Sequence, residues 1–207
     1  MGNENYDKMM EKIIEGCEGS SINVLLHSCC APCSSACIEK LADRCRVVVF
    51  YYNPNIGDES EYKKRKDEQI RLIDTFNREN KFAFKIGIMD ADHDPESFYR
   101  IAKGLEKCPE RGERCHKCYE LRMRKTAEAA LASGNFDFFA TTLTLSPLKD
   151  SDAINSIGLM IEKETGMKYL PSDFKKRNGY LRSIELSKEY DLYRQNFCGC
   201  IFSKPSA

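Results

Sequence analysis

The chain has 207 residues, 42% apolar and 31% charged, with eleven cysteines and a formal net charge of zero. That balance is globular, and it excludes a disordered chain. No apolar run approaches the roughly 18 residues of a membrane span. Residues 1–6 lack the apolar core of a signal peptide, and Tyr6 stands where a myristoylation pattern needs Ser or Thr. A cytoplasmic protein with no membrane partner is therefore expected. Thiols stay reduced there, so the cysteines point to metal binding or catalysis more than to a disulfide scaffold.

Tyr6 to Glu15 predicts a short amphipathic helix, with Met9, Met10, Ile13 and Ile14 on one side. Val24 to Leu26 predicts a buried strand that breaks at Pro32. A helix follows through Ile38 and Leu41 to Ala42, with Ser34 as its expected N-cap. Val47 to Tyr52 predicts a second strand, stopped by Asn53-Pro54-Asn55. Ser60 to Asn80 predicts a long helix, and Phe82 to Ile88 a third strand. Asp94 is the expected cap of a helix starting at Pro95. Cys108 to Cys118 is a polar insertion that opens into a helix from about His116 to Ser133, closed by Gly134. Phe136 to Thr142 predicts a fourth strand, and Thr144 to Asp150 a polar turn. Asp152 to Thr165 predicts a helix closed by Gly166, Met167 to Leu170 a short fifth strand, and Arg182 to Gln195 a final helix.

Strands alternating with crossover-length helices predict an α/β fold: a doubly wound parallel sheet of about five strands with a Cys-rich insertion. No repeat or linker divides the chain. One α/β domain over 1–207 is expected, with a helical extension at 1–20, the insertion at 108–118 and a tail at 196–207.

Four cysteines, Cys29, Cys30, Cys33 and Cys37, lie at one strand-to-helix turn. In a parallel sheet that turn is at the carboxyl end of a strand, where sites form. A helix N-terminus also stabilises thiolates. Packing gives no reason for four thiols so close together. Cys115 and Cys118 are spaced to give two thiolates to one centre. Paired with the first group they signal shared ligation, by zinc or by an iron–sulfur cluster. The surplus of Cys33, Cys37, Cys108 and the C-terminal pair favours a redox-active cluster. Cys198-Gly199-Cys200, with little apolar sequence around it, suits a dithiol that cycles with a strained disulfide. Cys17 and Cys45 read as packing residues.

Other groups are less specific. Asp90, Asp92, His93 and Asp94 could serve as acids, bases or ligands, although a solvated loop explains them better. Thr141, Thr142, Thr144 and Ser146 could bind a ligand or simply bond within a loop. Residues 1–99 carry 13 basic and 18 acidic side chains, and residues 100–207 carry 19 and 14. The second half is thus the side for a polyanion. Lys175, Lys176, Arg177 and Arg182 flank Tyr180, a pattern suited to RNA phosphates and stacked bases, or to a basic solvated face.

Several motifs in order carry a resemblance: His27–Ser34, Tyr52–Ile56, Gly112–Arg122, Thr141–Pro147, Asp173–Lys176 and Cys198–Cys200. Together they resemble the QueH-type epoxyqueuosine reductases, over residues 22–202. The resemblance implies reduction of epoxyqueuosine to queuosine at the wobble position of tRNA, with release of water. It implies a [4Fe–4S] cluster on Cys29, Cys30, Cys115 and Cys118, and a redox-active, catalytic pair at Cys198 and Cys200. The electron donor stays unidentified. Adjacent Cys29 and Cys30 are hard to seat on one cubane. One of them, or Cys33, is therefore a candidate ligand for an additional iron, with a carboxylate from Asp90 to Asp94. The first turn is also similar in placement to the phosphate loop of ATP-pyrophosphatases that modify tRNA, implying a nucleotide-binding-like (adenine nucleotide alpha hydrolase-like) sheet. Ser28–Ser34 lacks the two glycines of that loop. The alternatives are an ATP-dependent, cluster-containing tRNA sulfur transferase and a zinc-stabilised RNA-binding module.

Overall fold

A computed structural model describes residues 4–17 and 21–203. The ends of the expected extension (1–3 and 18–20) and the last four residues of the expected tail lie outside them. In chain order the elements are α1 (Tyr6–Glu15), β1 (Ile22–His27), α2 (Ala31–Leu41), β2 (Cys45–Tyr51) and α3 (Glu59–Arg78). Then come β3 (Gly87–Asp90), α4 (Pro95–Ala102), α5 (Glu113–Ser133), β4 (Phe138–Thr141), α6 (Ser151–Thr165) and α7 (Gly179–Glu189). The four strands form one parallel sheet in the order β3-β2-β1-β4.

Strand alternation assigns the two faces. Val24, Leu26, Val47 and Val49 point to one side, where α1, α2, α3 and α7 cover them. Leu25, Phe50 and Phe139 point to the other, under Tyr119 and Met123 of α5 and Ile154 and Ile161 of α6. Both faces are buried, which is why β1 and β4 read as continuous apolar runs. The chain winds outward from β1 to β2 to β3, then returns to place β4 on the free side of β1. Ligands bind beyond the carboxyl ends of strands at such a reversal. Here the reversal lies between the thiol turn after β1 and the threonines after β4.

Four expectations are corrected. Among the described residues the sheet has four strands, not five. Residues 167–170 supply only one bridging pair, Phe139 with Tyr169. Pro171 follows and has no N–H with which to extend a ladder. The third strand begins at Gly87 rather than Phe82, because Asn77 of α3 takes both backbone groups of Ile86, at 2.8 Å each. The final helix runs three residues earlier and stops at Glu189. Asp191 is left-handed (φ 48°), and Arg71 holds the carbonyls of Tyr190 and Asp191. Finally, α2 starts at Ala31 with Cys30 as the extended N-cap, while Ser34 lies inside the first turn. Asp94 caps α4 by accepting from Ser97 N, as expected, and Gly134 and Gly166 close α5 and α6.

Candidate metal centre

The thiol turn is set by the end of β1. His27 is fully buried, with Nδ1 3.0 Å from Thr141 Oγ1 and Nε2 3.1 Å from the Tyr52 carbonyl. A carbonyl only accepts, so Nε2 carries the ring proton and Nδ1 accepts from the threonine. Burial, reinforced by Arg122, lowers the His27 pKa to about 3. It is thus a neutral brace between β1, β2 and β4 rather than a proton shuttle. Next in sequence, Ser28 O accepts from Asn53 Nδ2 at 2.8 Å. The hydroxyls of Ser28 and Ser34 both donate to Oε1 of buried Gln69, at 2.7 and 2.8 Å.

Held this way, Cys29, Cys30 and Cys33 bring their sulfurs within 4.8 Å of one another, a spacing that can hold a metal ion. The Cys29 and Cys30 sulfurs are 3.8 Å apart. Adjacency in sequence does not separate them, because the extended Cys30 backbone bends straight into α2. Hydrogen bonds from Cys30 and Cys33 hold the Cys29 pKa well below the ordinary thiol range, against the effect of burial. The Cys29 sulfur in turn raises Cys30 to about 12 and Cys33 well upward. Thr142 Oγ1 donates to Cys29 Sγ at 3.7 Å.

Helix α5 brings the second group. Gly112 is its extended N-cap. Arg114, 2% exposed, donates through Nη1 to the carbonyls of Leu105, Glu106 and Cys108, which pins the insertion to the helix. Cys115 and Cys118 then face the turn. Burial raises Cys118 to about 12.

The tail closes the third side. Arg65 Nη1 and Asn55 Nδ2 both donate to the Cys198 carbonyl at 3.3 Å. Gly199 has φ +97°, and a Cβ there would lie 2.7 Å from Ile56 Cγ1, so only glycine fits. Cys200 is not loosely packed, as the sequence suggested. It is buried with Phe98, Ala102 and Cys118.

These three segments line one cavity of about 530 Å³, containing Cys29, Cys30, Cys33, Cys115, Cys118, Cys198 and Cys200. Cys37 and Cys108 do not line it. Cys37 lies in the apolar core, and burial pushes its thiol well upward. No disulfide links the cysteines. The acidic loop is also elsewhere. Asp90 pairs with Lys66, Asp94 caps α4, and His93 stacks on Tyr62 with Nε2 against the Ile56 carbonyl. None of the four lines the cavity. Of the basic group, Arg177 pairs with Asp7, Arg182 grips Glu39 through two nitrogens, and Lys175 meets Asp173, leaving Lys176 without a carboxylate among the described residues.

Sequence reasoning missed the cations. Arg65, Arg122 and Lys149 line the cavity, and Arg122 is 1% exposed. Arg114, Cys118 and Arg122 recur every fourth residue and so share a face of α5. That spacing was the available signal.

A thiol-rich cavity at the switch point of a parallel sheet, lined by buried cations, defines a class: α/β proteins with a cysteine group that could hold a metal ion. The comparisons narrow it. The family model described as epoxyqueuosine reductase QueH matches residues 24–206. The chain is 42% identical over 203 residues to epoxyqueuosine reductase QueH of Staphylococcus epidermidis, covering 96% of this chain and 84% of that protein. It is 41% identical over 201 residues to QueH of Streptococcus pyogenes, covering 96% and 78%. It is 34% identical over 180 residues to QueH of Thermotoga maritima, covering 87% and 89%. The chain belongs to the epoxyqueuosine reductase QueH family.

Proposed function

We propose that this chain is an oxidoreductase that reduces the epoxide of epoxyqueuosine in tRNA to give queuosine, at the wobble position. The observation that carries this reading is the meeting of three cysteine-bearing segments in one cavity, in a chain of this family. The donor set fits an iron–sulfur group: three sulfurs already converge, and the lining cations suit a centre of net negative charge. On this reading Cys29, Cys30, Cys115 and Cys118 hold a [4Fe–4S] cluster, and Cys33 is free to ligate an additional iron ion. Such a cluster supplies single electrons when bound.

The chain's own residues account for the rest. Opening the epoxide to an alkene takes two electrons and two protons and releases the oxygen as water. Oxidation of Cys198 and Cys200 to a disulfide yields two electrons and two protons, so one dithiol balances one turnover. An external donor, still to be identified, must then reduce the pair. Arg65 and Asn55 hold the Cys198 backbone, which orients its sulfur toward the cavity. Lys175, Lys176, Arg177 and Arg182 with Tyr180 are the proposed face for the tRNA, with Lys176 the cation most available to a phosphate.

The sheet order supports a nucleotide-binding-like architecture, with the thiol turn in the place of a phosphate loop. We treat residues 1–207 as one domain in which 196–207 is the redox-active tail. No helix is long and apolar enough to cross a membrane, and a cytoplasmic site of action fits the reduced thiols. The test is anaerobic reconstitution with iron and sulfide, then incubation with epoxyqueuosine-bearing tRNA and dithionite. Nucleoside analysis should show queuosine appearing as epoxyqueuosine disappears. Unchanged nucleoside with an intact cluster would overturn the reading.

A further inference from the structure

A guanidinium taken out of water costs several kcal/mol unless a counter-charge receives it. Arg122 is in that position. It is 1% exposed, and its Nε donates to the Cys118 carbonyl at 3.2 Å. Its Nη2 has no hydrogen-bond partner, and it makes no ion pair with a carboxylate among the described residues. Lys149, half-buried on the turn before α6, likewise makes no ion pair among the described residues. Both line the cavity, where Glu110 is the one acid among the lining residues. Two unpaired cations therefore face a space walled by thiols.

We propose that Arg122 and Lys149 form a fixed cationic wall that compensates the negative charge of the sulfur-ligated centre and raises its reduction potential. The proposal rests on the cluster reading above. Neither residue is asked to touch substrate or to move a proton. Each is a positioning residue acting through charge.

Placement favours sulfur over a substrate phosphate as the counter-charge. Arg122 lies one helical turn from Cys118, on the same face of α5. The Cys29 and Cys198 sulfurs are within its electrostatic reach, and Lys149 faces Cys198, Cys29 and Cys33. A cation lining the same low-dielectric pocket stabilises whichever redox state is more negative, which is the reduced one. Removing it lowers the potential.

The test uses the full chain, reconstituted anaerobically, with iron and sulfide counted first. The midpoint potential is then read by redox titration of the reduced cluster's paramagnetic signal. Arg122→Met and Lys149→Met should keep iron and shift the one-electron equilibrium toward the oxidised form. The expected shift is at least about tenfold for Arg122→Met, or 59 mV. Arg122→Lys, which retains the charge, should stay near the wild-type value. Lys149 sits on a turn, so its variant decides the matter if Arg122→Met does not fold. If Arg122→Met folds but loses iron, the wall stands when Arg122→Lys keeps iron and falls when it does not. Unchanged potentials in both Met variants would overturn the wall, as would a raised KM for tRNA at unchanged potential. A wild-type chain that assembles no cluster would instead overturn the functional reading, and this proposal with it.

Discussion

Two regions deliver sulfur to one cavity by opposite means. The turn at Cys29–Cys33 is braced from four directions, by His27, Asn53, Gln69 and Thr142. The tail at Cys198–Cys200 is held by two hydrogen bonds on one carbonyl and by a small apolar cluster. A ligand set for a metal must keep its geometry, whereas a dithiol that becomes a disulfide must move. The difference in bracing fits the division of labour proposed above.

Substitution within the rigid set should have the largest consequence. Cys118→Ser is expected to lower both bound iron and nucleoside turnover by more than about 100-fold, measured by iron analysis and product formation. If Cys198→Ser also removes the iron, the two regions are not distinct. Gln69→Leu leaves the hydroxyls of Ser28 and Ser34 without their shared acceptor. It should cost about 3 kcal/mol in urea unfolding, with the loss centred on the turn.

A pH series sharpens the same point. His27 binds its proton only once unfolded, so the unfolded state takes up more protons below the ordinary histidine value. Its contribution is fully present above pH 6.5 and falls as pH drops toward about 3, at a slope of about 1.4 kcal/mol per pH unit. His27→Gln should lack that part of the slope, as read from urea midpoints across pH. An identical pH profile in the variant would mean that the ring titrates when folded.

The tail should respond differently. Gly199→Ala forces a side chain into left-handed backbone and against Ile56. About a tenfold loss of turnover is expected, with the thermal midpoint nearly unmoved, because few contacts depend on the tail. A large fall in the midpoint would place the tail among the rigid parts. Smallest of all, Lys176→Ala should raise KM for tRNA by a modest factor at low salt, and by less at high salt.

The frame of this fold was legible because the apolar runs of β1 and β4 report strands buried on both faces, and because Asp94, Gly134 and Gly166 mark helix ends by local chemistry. The thiols were legible for a similar reason, since their density exceeds any packing need. What was hidden depends on contacts distant in sequence. The shortened third strand rests on one asparagine, Asn77, competing for backbone groups. The cationic lining rests on arginines that, in a charge count, look like any surface residue. Only the fourfold spacing of Arg114, Cys118 and Arg122 separates them from a solvated face. The apolar seat of Cys200 comes from α4, about a hundred residues earlier in the chain, and no local pattern announces it.

That seat has a consequence for how the molecule can be watched. Phe98 and Ala102 owe their burial partly to Cys200 and Phe202. When the terminal segment lifts, the inner side of α4 loses its cover and its amides become free to exchange with solvent. On the proposed dithiol role, deuterium uptake along Pro95–Ala102, which packs directly on Cys200, would then serve as a gauge of thiol oxidation state.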